Sequence, residues 1–244
     1  MSAQPPATNV STASSQHQQQ FEYRGHDILD LLKQARNYNR WLVDQVIAAM
    51  PPSAQRIVDL GAGRGTFSEL LRQRGVNVEV IEPDAENQRE LHRLGFAVHS
   101  TIDALPAGSL DYVFTLNVLE HVADDEALIA AAFSRLRQSG RFFVFVPAFP
   151  VLWTRLDDYV QHERRYRRRP FVAMLRRLGF EVERARYADS LGFFAALAAR
   201  CAGSEMSARN VSAYDRFAFP LSRILDPLLG RFFGKNLAVV CRRL

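Results

Sequence analysis

The sequence predicts a doubly wound α/β fold, in which helices cover both faces of a mostly parallel sheet. Three observations point to this class. An apolar run ends at Leu60 and turns through alternate glycines directly into a helical pattern. Predicted strands then alternate with predicted helices, as they do in parallel sheets. The stretch Gly140–Pro147 is almost wholly apolar, which is typical of a central strand buried on both faces.

Length, composition and charge set the outer limits. The chain has 244 residues, 48% of them hydrophobic, which is enough for one α/β domain with additions. Residues 1–22 are mostly serine, glutamine, threonine, proline and alanine, so we expect a disordered tail followed by a single domain over 23–244. The net charge of +5 permits an anionic partner without requiring one.

The sequence also bears on the compartment. The first residues lack the basic and apolar pattern of a secretory signal, and no apolar run reaches the ~18 residues that a spanning helix needs. The two cysteines, Cys201 and Cys241, have neither disulfide nor metal-ligand spacing. A reducing compartment fits this pattern, and we expect a soluble cytoplasmic protein.

The hydrophobic pattern predicts the elements in order. Apolar residues at helical spacing predict an N-terminal helix over Asp27–Met50, and Pro51 and Pro52 end it. A second strand is predicted within Asn77–Asp84. The later predicted strands are Ala97–Ser100, Leu110–Asn117, Gly140–Pro147, Phe180–Ala188 and Asn236–Arg242. The later predicted helices are Thr66–Arg74, Asp84–Leu94, Asp124–Arg137 and Pro170–Leu178.

The connection between the last two strands, 189–235, is unusually long, and we predict a helical insertion there. A loop of this length is expected to be functional or to carry its own structure. It holds two apolar stretches, 191–199 and 217–233. One interpretation is a lid over a hydrophobic acceptor. The other is a dimer or membrane-surface patch, with basic residues facing anionic lipid. Those basic residues are Arg216, Arg223 and Arg231.

Three glycines, Gly61, Gly63 and Gly65, follow the first strand directly. Glycine tolerates positive φ and lacks a Cβ, so a ligand can lie close to such a loop at the carboxyl ends of parallel strands. A dinucleotide fingerprint would need another glycine where Thr66 stands. The spacing therefore favours a ligand without a pyrophosphate, such as S-adenosylmethionine, and disfavours a nicotinamide-dependent oxidoreductase.

Glu82 ends the second predicted strand. An ionised carboxylate at this position can accept hydrogen bonds from both ribose hydroxyls of a nucleoside. The alternative is that Glu82 only caps the helix that begins near Asp84. The pairing of this acid with the glycine loop favours the ribose role.

Four segments in this order, VDLGAGRGTFSELL, VIEPD, LDYVFTLNVLEHVAD and GRFFVFVPA, resemble the class I S-adenosylmethionine-dependent methyltransferases. The resemblance covers most of Arg56–Leu244, and the ordered set is far more specific than any one segment. It implies a Rossmann-like sheet of seven strands, mostly parallel with an antiparallel last strand. It also implies S-adenosylmethionine as the cofactor.

The resemblance further implies how the cofactor is held. The glycine loop would pass beneath the methionine and ribose, Asp103 would accept from the adenine amino group, and Asn117 would lie near the methyl group. Asp59 would orient the loop or accept from the methionine ammonium group. The alternatives are a buried loop-fixing carboxylate for Asp59 and a turn residue for Asp103. The predicted cofactor-binding residues are Asp59, Gly61, Ala62, Gly63, Gly65, Glu82, Pro83, Asp103, Ala104, Asn117 and Val118.

Methyl transfer to a hydroxyl group calls for a base, and histidine titrates near neutrality. His121 follows the fourth strand, although a structural role suits it as well. The segment after the fifth strand resembles a methyltransferase subgroup with a tryptophan, an aspartate and a His-x-Arg-Arg-Tyr element. We predict as catalytic residues His121, His162 and Tyr166, and as substrate-binding residues Trp153, Arg165 and Tyr166.

The same segment has two further interpretations. Its arginines and acids could instead form a solvated basic segment tied down by surface ion pairs, which contribute little to stability. Some of its side chains could also be ligands, but we predict no metal site. Those side chains are Asp157, Asp158, His162 and Glu163.

The sequence therefore predicts methyl transfer from S-adenosylmethionine to a small-molecule or lipid-like acceptor, at oxygen, with peripheral membrane contact and a homodimer as open possibilities. One alternative is an RNA methyltransferase, motivated by the basic run Arg164–Arg169 and a pI of about 9.5. Aromatic residues do not alternate with that run as a stacking platform requires, so a nucleic-acid substrate is disfavoured. The other alternative is a non-catalytic protein that binds S-adenosylmethionine.

Overall fold

A computed structural model describes residues 25–202 and 207–244, and its centre is one sheet of seven strands. The predicted tail over 1–22 lies outside the described residues. The strands are β1 Ile57–Leu60, β2 Glu79–Ile81, β3 Ala97–His99, β4 Leu110–Leu116, β5 Leu136–Pro147, β6 Phe180–Ala188 and β7 Asn236–Arg243.

The strand order across the sheet is β3-β2-β1-β4-β5-β7-β6. Neighbouring strands from β3 to β5 pair in parallel, and β7 inserts between β5 and β6 antiparallel to both. Val144 of β5, for example, lies opposite Val239 of β7. The predicted class, a doubly wound and mostly parallel sheet with an antiparallel last strand, is confirmed.

Helices cover both faces of the sheet. They are α1 His26–Leu32, α2 Arg36–Ala49, α3 Thr66–Gln73, α4 Ala85–Arg93, α5 Asp125–Arg135, α6 Arg155–Tyr159, α7 Arg168–Arg177, α8 Ser190–Ala202, α9 Ala208–Ala213 and α10 Phe219–Leu229. Three short 3-10 helices and one π-helical turn complete the elements, at Ile102–Ala104, Leu119–His121, Pro150–Leu152 and Tyr214–Ala218. No described helix combines the length and the apolar composition needed to cross a membrane.

The N-terminal helix predicted over 27–50 is two helices, α1 and α2, with a break between them. The side-chain amide of Asn39 donates to the carbonyl of Leu32 near the end of α1, at 3.0 Å. The carboxylate of Asp215 accepts the backbone N–H groups of Asn37 and Tyr38, at 3.0 and 2.8 Å. Those two amides belong to the first turn of α2 and lack partners within the helix. A distant segment thus caps α2, which the local pattern does not reveal.

Strand β5 shows why the sheet needs helices on both sides. Phe142 and Val144 pack in the cluster on one face, and Phe143 and Phe145 pack in the cluster on the other. All four side chains are fully buried. Side chains alternate across a strand, so a run that is apolar at every position buries both faces. Burial of each large apolar side chain stabilises the fold by about 1.5–3 kcal/mol.

The connection between β6 and β7 consists of α8, α9, the π-helical turn and α10. The carboxylate of Asp226 in α10 accepts the backbone N–H groups of Asp189 and Ser190, both at 2.8 Å, where α8 begins. Phe219 of α10 packs edge-on against Tyr38 and Trp41 of α2. The insertion is therefore fixed to the helix that precedes the sheet.

Candidate functional site

The carboxyl ends of the parallel strands meet at one edge of the sheet, and the backbone is strained there. Asn117 follows β4, Phe149 follows β5 and Asp189 follows β6, with φ of 55°, 59° and 61°. Side-chain-bearing residues rarely adopt this left-handed region, which costs of order 1–3 kcal/mol each. Such strain gathers at binding and active sites, so this edge is the candidate site.

The glycine loop after β1 is shaped by contacts within the protein. Gly61 has a φ of +85°, and a Cβ added there would lie 2.3 Å from the Val118 side chain. A Cβ at Gly65, with a φ of +77°, would lie 2.9 Å from Leu91. At these two positions glycine is required by the close approach of the protein's own side chains. A Cβ at Gly63 would meet only Leu29, at 3.5 Å.

The carboxylate of Glu82 reaches across from β2 to this loop. One oxygen accepts the N–H of Gly63 at 2.7 Å, and the other accepts the N–H of Asp84 at 2.9 Å. The side chain is only 4% exposed. Burial raises the pKa of Glu82, and the two backbone hydrogen bonds partly oppose that rise. The Asn87 side chain also hydrogen-bonds this carboxylate, which has about four acceptor positions, so at least one remains for a ribose hydroxyl.

Asp84, and not Glu82, caps helix α4. One oxygen of Asp84 accepts the N–H groups of Glu86 and Asn87 in the first turn, at 3.0 and 2.9 Å. This is the ordinary role of an aspartate at the start of a helix. The helix-cap alternative for Glu82 therefore does not describe the structure.

Asp59 lies inside β1, where it is 2% exposed and accepts the hydroxyl of Ser68 at 2.6 Å. The pKa of Asp59 is raised to about 7, because burial and the charge of Glu82 raise it by more than the hydrogen bond from Ser68 lowers it. This placement matches the loop-fixing alternative for Asp59, because its hydrogen-bonded partner is the helix that follows the loop.

The other predicted cofactor residues lie on the loops at the same edge. Ala62 is in the glycine loop, and Pro83 follows Glu82. Asp103 and Ala104 are exposed in the 3-10 helix after β3, and the Asp103 carboxylate pairs with Arg135 at 2.7 Å. Asn117 and Val118, which follow β4, are half-buried. The fold thus brings together the loops after β1, β2, β3 and β4.

Helix α1 lies over the glycine loop. Besides the Leu29 contact with Gly63, Asp30 of α1 pairs with Arg64 of the loop at 3.6 Å. Asp27 of α1 accepts the hydroxyl of Tyr159 at 3.1 Å. Helix α1 therefore contacts both the glycine loop and the segment that follows β5.

The segment after β5 leaves the sheet and returns to it. Residue 148 pairs with Tyr166, whose N–H donates to the carbonyl of Pro147 at 2.9 Å. The Tyr166 hydroxyl donates to Asp125 at 2.7 Å, and the side chain is only 6% exposed. Burial, followed by the Asp125 hydrogen bond, raises the pKa of Tyr166 far above its usual value. In this structure the Tyr166 hydroxyl holds the segment in place, and its catalytic and substrate-binding roles stay predictions.

Asp157 is the centre of this segment. Its side chain is 1% exposed. Its carboxylate accepts hydrogen bonds from Nε of Arg165 at 2.7 Å, from Nη2 of Arg165 at 3.0 Å and from Nδ1 of His162 at 2.7 Å. Burial alone would raise its pKa, but the hydrogen bonds from His162 and Arg165 hold the pKa of Asp157 well below its usual range. The guanidinium of Arg165 is committed to this pair, so the structure does not present it to a substrate as predicted.

The segment also places Trp153 and His162 beside each other, with ring centroids 6.5 Å apart. The indole N–H of Trp153 donates to Asp158 at 2.9 Å. Trp153 is half-buried. His162 in turn lies against His121, with ring centroids 4.6 Å apart.

A buried carboxylate completes this cluster. Glu120 is 0% exposed, and neither of its oxygens accepts a hydrogen bond from another described residue. Nε2 of His162 is 3.9 Å from Oε1 of Glu120. Glu120, His121 and His162 each offer one possible ligand atom, and these three atoms lie within 4.8 Å of one another. Among the described residues, these three have the geometry to hold a metal ion.

Burial dominates the electrostatics of the cluster. It raises the pKa of Glu120 to about 8. Burial and, to a lesser extent, the charge of His162 lower the pKa of His121 to about 4. Sequence reasoning missed Glu120 as a site residue. The signal was present in the Glu-His pair that follows β4, but only the fold brings His162 to that pair.

Comparisons with known proteins agree with this architecture. A protein-family model described as a methyltransferase domain matches residues 22–185. The ubiquinone biosynthesis O-methyltransferase of Xanthomonas axonopodis pv. citri is 34% identical over 112 residues, 42% of this chain and 47% of that protein. The protein of the same name in Xylella fastidiosa is 33% identical over 113 residues, 42% of this chain and 46% of that protein. The chain thus matches about half the length of these curated relatives.

Solved structures resemble nearly the whole chain. A methyltransferase from Archaeoglobus fulgidus, described as dependent on S-adenosylmethionine, has a TM-score of 0.62 and 17% identity, covering 89% of this chain and 99% of that chain. A possible histamine N-methyltransferase from Thermotoga maritima has a TM-score of 0.63 and 15% identity, covering 91% and 97%. At this level of identity the likeness shows the fold.

Proposed function

We propose that this chain, which belongs to the methyltransferase family whose model matches residues 22–185, transfers a methyl group to an oxygen atom of a small, apolar acceptor. Membership of the family confirms the resemblance found in the sequence. Its cofactor is S-adenosylmethionine.

One observation carries the proposal. The buried carboxylate of Glu82 lies directly on the glycine loop, with Gly63 as its partner, at the carboxyl ends of β1 and β2. A sulfonium nucleoside seated there would present its ribose hydroxyls to Glu82. Its methyl group would then point toward the loop after β4, where Asn117 and Val118 lead into the cluster of Glu120, His121 and His162.

The chemistry makes an oxygen acceptor suitable. The sulfur–methyl bond breaks as the oxygen–methyl bond forms, and the acceptor hydroxyl loses its proton. Alignment of the two reactants can supply about 7–11 kcal/mol of the required rate enhancement. Activation of the hydroxyl falls to the cluster of Glu120, His121 and His162, which lies on the acceptor side. The partial similarity to proteins named O-methyltransferases supports attack by oxygen.

The structure weakens the motivation for the RNA alternative. Arg164 is paired with Asp125 and Arg165 with Asp157, both at 2.7 Å. These two members of the basic run are therefore neutralised within the protein and are not offered to a phosphate backbone. The non-catalytic alternative is disfavoured by the buried carboxyl group of Glu120, because a buried polar group that accepts no hydrogen bond from another described residue is costly and is typical of a functional site.

A methyl-transfer assay tests the proposal. The purified protein is incubated with S-adenosylmethionine carrying a tritiated methyl group and with phenols, quinols, a lipid extract or RNA. We expect label in the organic phase, and the His162→Gln variant to lose at least 90% of the activity. His92→Gln, an exposed histidine on α4, is the matched control and should be fully active. Transfer to RNA alone would contradict the proposal, as would no transfer by a protein that binds S-adenosylhomocysteine.

We propose further that an apolar stripe along α10 and the π-helical turn before it docks on an anionic membrane and gives access to a lipid-like acceptor. Phe217, Ile224 and Leu228 are 71%, 73% and 66% exposed, and Leu221 is half exposed. These positions recur at the helical period and form one apolar stripe. The opposite face is held to α8, where the Ser222 hydroxyl accepts a backbone N–H at 3.0 Å.

Charge selects the partner for this stripe. The three exposed arginines beside it form no ion pair with a described residue, and the chain carries a net charge of +5. Each basic side chain near an anionic bilayer contributes about 1 kcal/mol. The arginines are Arg216, Arg223 and Arg231.

Vesicle sedimentation tests the docking surface. We expect binding to vesicles of phosphatidylglycerol and phosphatidylcholine, weak binding to phosphatidylcholine alone, and at least tenfold weaker binding by the variant with both Ile224→Glu and Leu228→Glu. Leu244→Glu alters an equally exposed apolar residue outside the stripe and should bind normally. If the wild-type protein does not sediment with anionic vesicles, the proposal fails. A dimer in light scattering that the double variant abolishes would assign the stripe to a homodimer instead.

A further inference from the structure

We propose that Glu120, His121 and His162 form a binding site for a divalent transition-metal ion, beside the acceptor. This deepens the proposed function and rests on it, because it names the means by which the acceptor oxygen is activated. The sequence alone predicted no metal site. The three ligands come from two segments, the loop after β4 and the segment after β5, which only the fold brings together.

The strongest observation is the state of Glu120. Its side chain is fully buried, and neither carboxylate oxygen accepts a hydrogen bond from another described residue. Buried carboxylates are normally paired, hydrogen-bonded or bound to a metal. The positive charge of Arg165 lowers the pKa of Glu120. The Arg165 guanidinium, however, donates its hydrogen bonds to Asp157 and not to Glu120. A cation at the centre of the cluster would supply the missing partner.

His162 is already oriented as a metal-bound histidine usually is. Nδ1 of His162 is 2.7 Å from Asp157, which leaves Nε2 directed to the Glu120 side, 3.9 Å from Oε1. Metal-bound histidines commonly donate their second nitrogen to a carboxylate in this manner. Backbone groups of Val160 and Gln161 hydrogen-bond the ring of His121.

The ligand set selects the class of ion. Two imidazoles and one carboxylate suit zinc, manganese or ferrous iron better than magnesium or calcium, which prefer oxygen ligands alone. Bonds from a metal ion to such ligands are about 2.0–2.2 Å long. The three candidate ligand atoms lie within 4.8 Å of one another, so these side chains would move inward when the ion binds. With three protein ligands, positions remain open for the acceptor hydroxyl. A coordinated hydroxyl loses its proton to water more readily, and the resulting oxygen anion attacks the methyl group.

Metal binding can be measured without methyl transfer. The protein, freed of metal by a chelator and of any affinity tag, is titrated calorimetrically with Zn²⁺, Mn²⁺ and Mg²⁺. We expect one equivalent of Zn²⁺ or Mn²⁺ to bind, with Mg²⁺ at least 100-fold weaker. Glu120→Gln and His162→Gln should each weaken binding of the preferred ion at least 100-fold. His92→Gln lies outside the cluster and should bind as the wild type does.

The outcomes are separable. Absence of a stoichiometric site in the wild type overturns the inference, as does unchanged affinity in both variants. If one variant unfolds, the other variant and the wild-type stoichiometry still decide. Binding of S-adenosylhomocysteine is measured on the same metal-free protein. Its loss there would count against the proposed function, whereas a missing metal site with intact cofactor binding would count only against the metal.

Discussion

Replacing Glu82 with glutamine will lower the affinity of the protein for S-adenosylhomocysteine about 100-fold. The carboxylate is placed to accept a charge-assisted hydrogen bond from a ribose, and one such bond contributes up to about 3 kcal/mol, which is about 100-fold in affinity. An amide removes the charge and turns one acceptor atom into a donor, which faces the N–H of Gly63 or of Asp84. Isothermal titration calorimetry measures the change.

The pH dependence of the same binding supplies a second readout. Burial raises the pKa of Glu82 in the free protein, and the ribose needs the ionised form. Wild-type affinity should therefore be constant above the raised pKa and should fall as the pH drops through it. The Glu82→Gln variant should lack that step. Glu90→Gln, on α4, removes a half-buried carboxylate that pairs with Arg93; it is the control and should keep both the affinity and the step. Intact affinity in a folded Glu82→Gln protein would refute this cofactor site.

The Asp157→Ala variant will lose about 3–5 kcal/mol of the free energy of unfolding and nearly all activity. Asp157 is 1% exposed and binds Arg165 through both carboxylate oxygens. Removing one partner of a buried ion pair leaves the other charge uncompensated, which accounts for a cost of about that size. Activity should fall as well, because Asp157 also fixes the ring of His162.

Urea denaturation followed by circular dichroism measures the loss. The control is Asp158→Ala, which removes an exposed carboxylate whose hydrogen bond is to Trp153, and we expect a change below about 1 kcal/mol. Equal stability of the two variants would show that the Asp157 network contributes little to the fold. A stable Asp157→Ala protein with full activity would also remove His162 from the acceptor site.

The two halves of the site differ in how far the sequence reveals them. The cofactor half is encoded locally: a strand, a glycine loop and a helix are consecutive, and Glu82 ends the next strand. Parallel pairing then obliges the carboxyl ends of β1 and β2 to lie at one edge. Glu82 does contact the loop at Gly63. Its role toward a ribose remains a prediction until a complex is measured.

The acceptor half depends on contacts between distant segments. Trp153, His162, Arg165 and Tyr166 are close in sequence, and their types suggested a shared pocket. The fold instead turns Tyr166 toward Asp125 and Arg165 toward Asp157, and leaves His162 against Glu120. Residue type states what a side chain can do, whereas burial and partners decide what it does.

The sequence by itself determined the fold class, the family and the position of the glycine loop, because periodicity and turn chemistry are local properties of the chain. Only the tertiary structure decided the break between α1 and α2, the separate duties of Glu82 and Asp84, and the meeting of His162 with Glu120. The break depends on Asp215, and the cluster depends on the return of the segment after β5 to the sheet. Such contacts arise from packing between segments, which no local pattern of residues encodes.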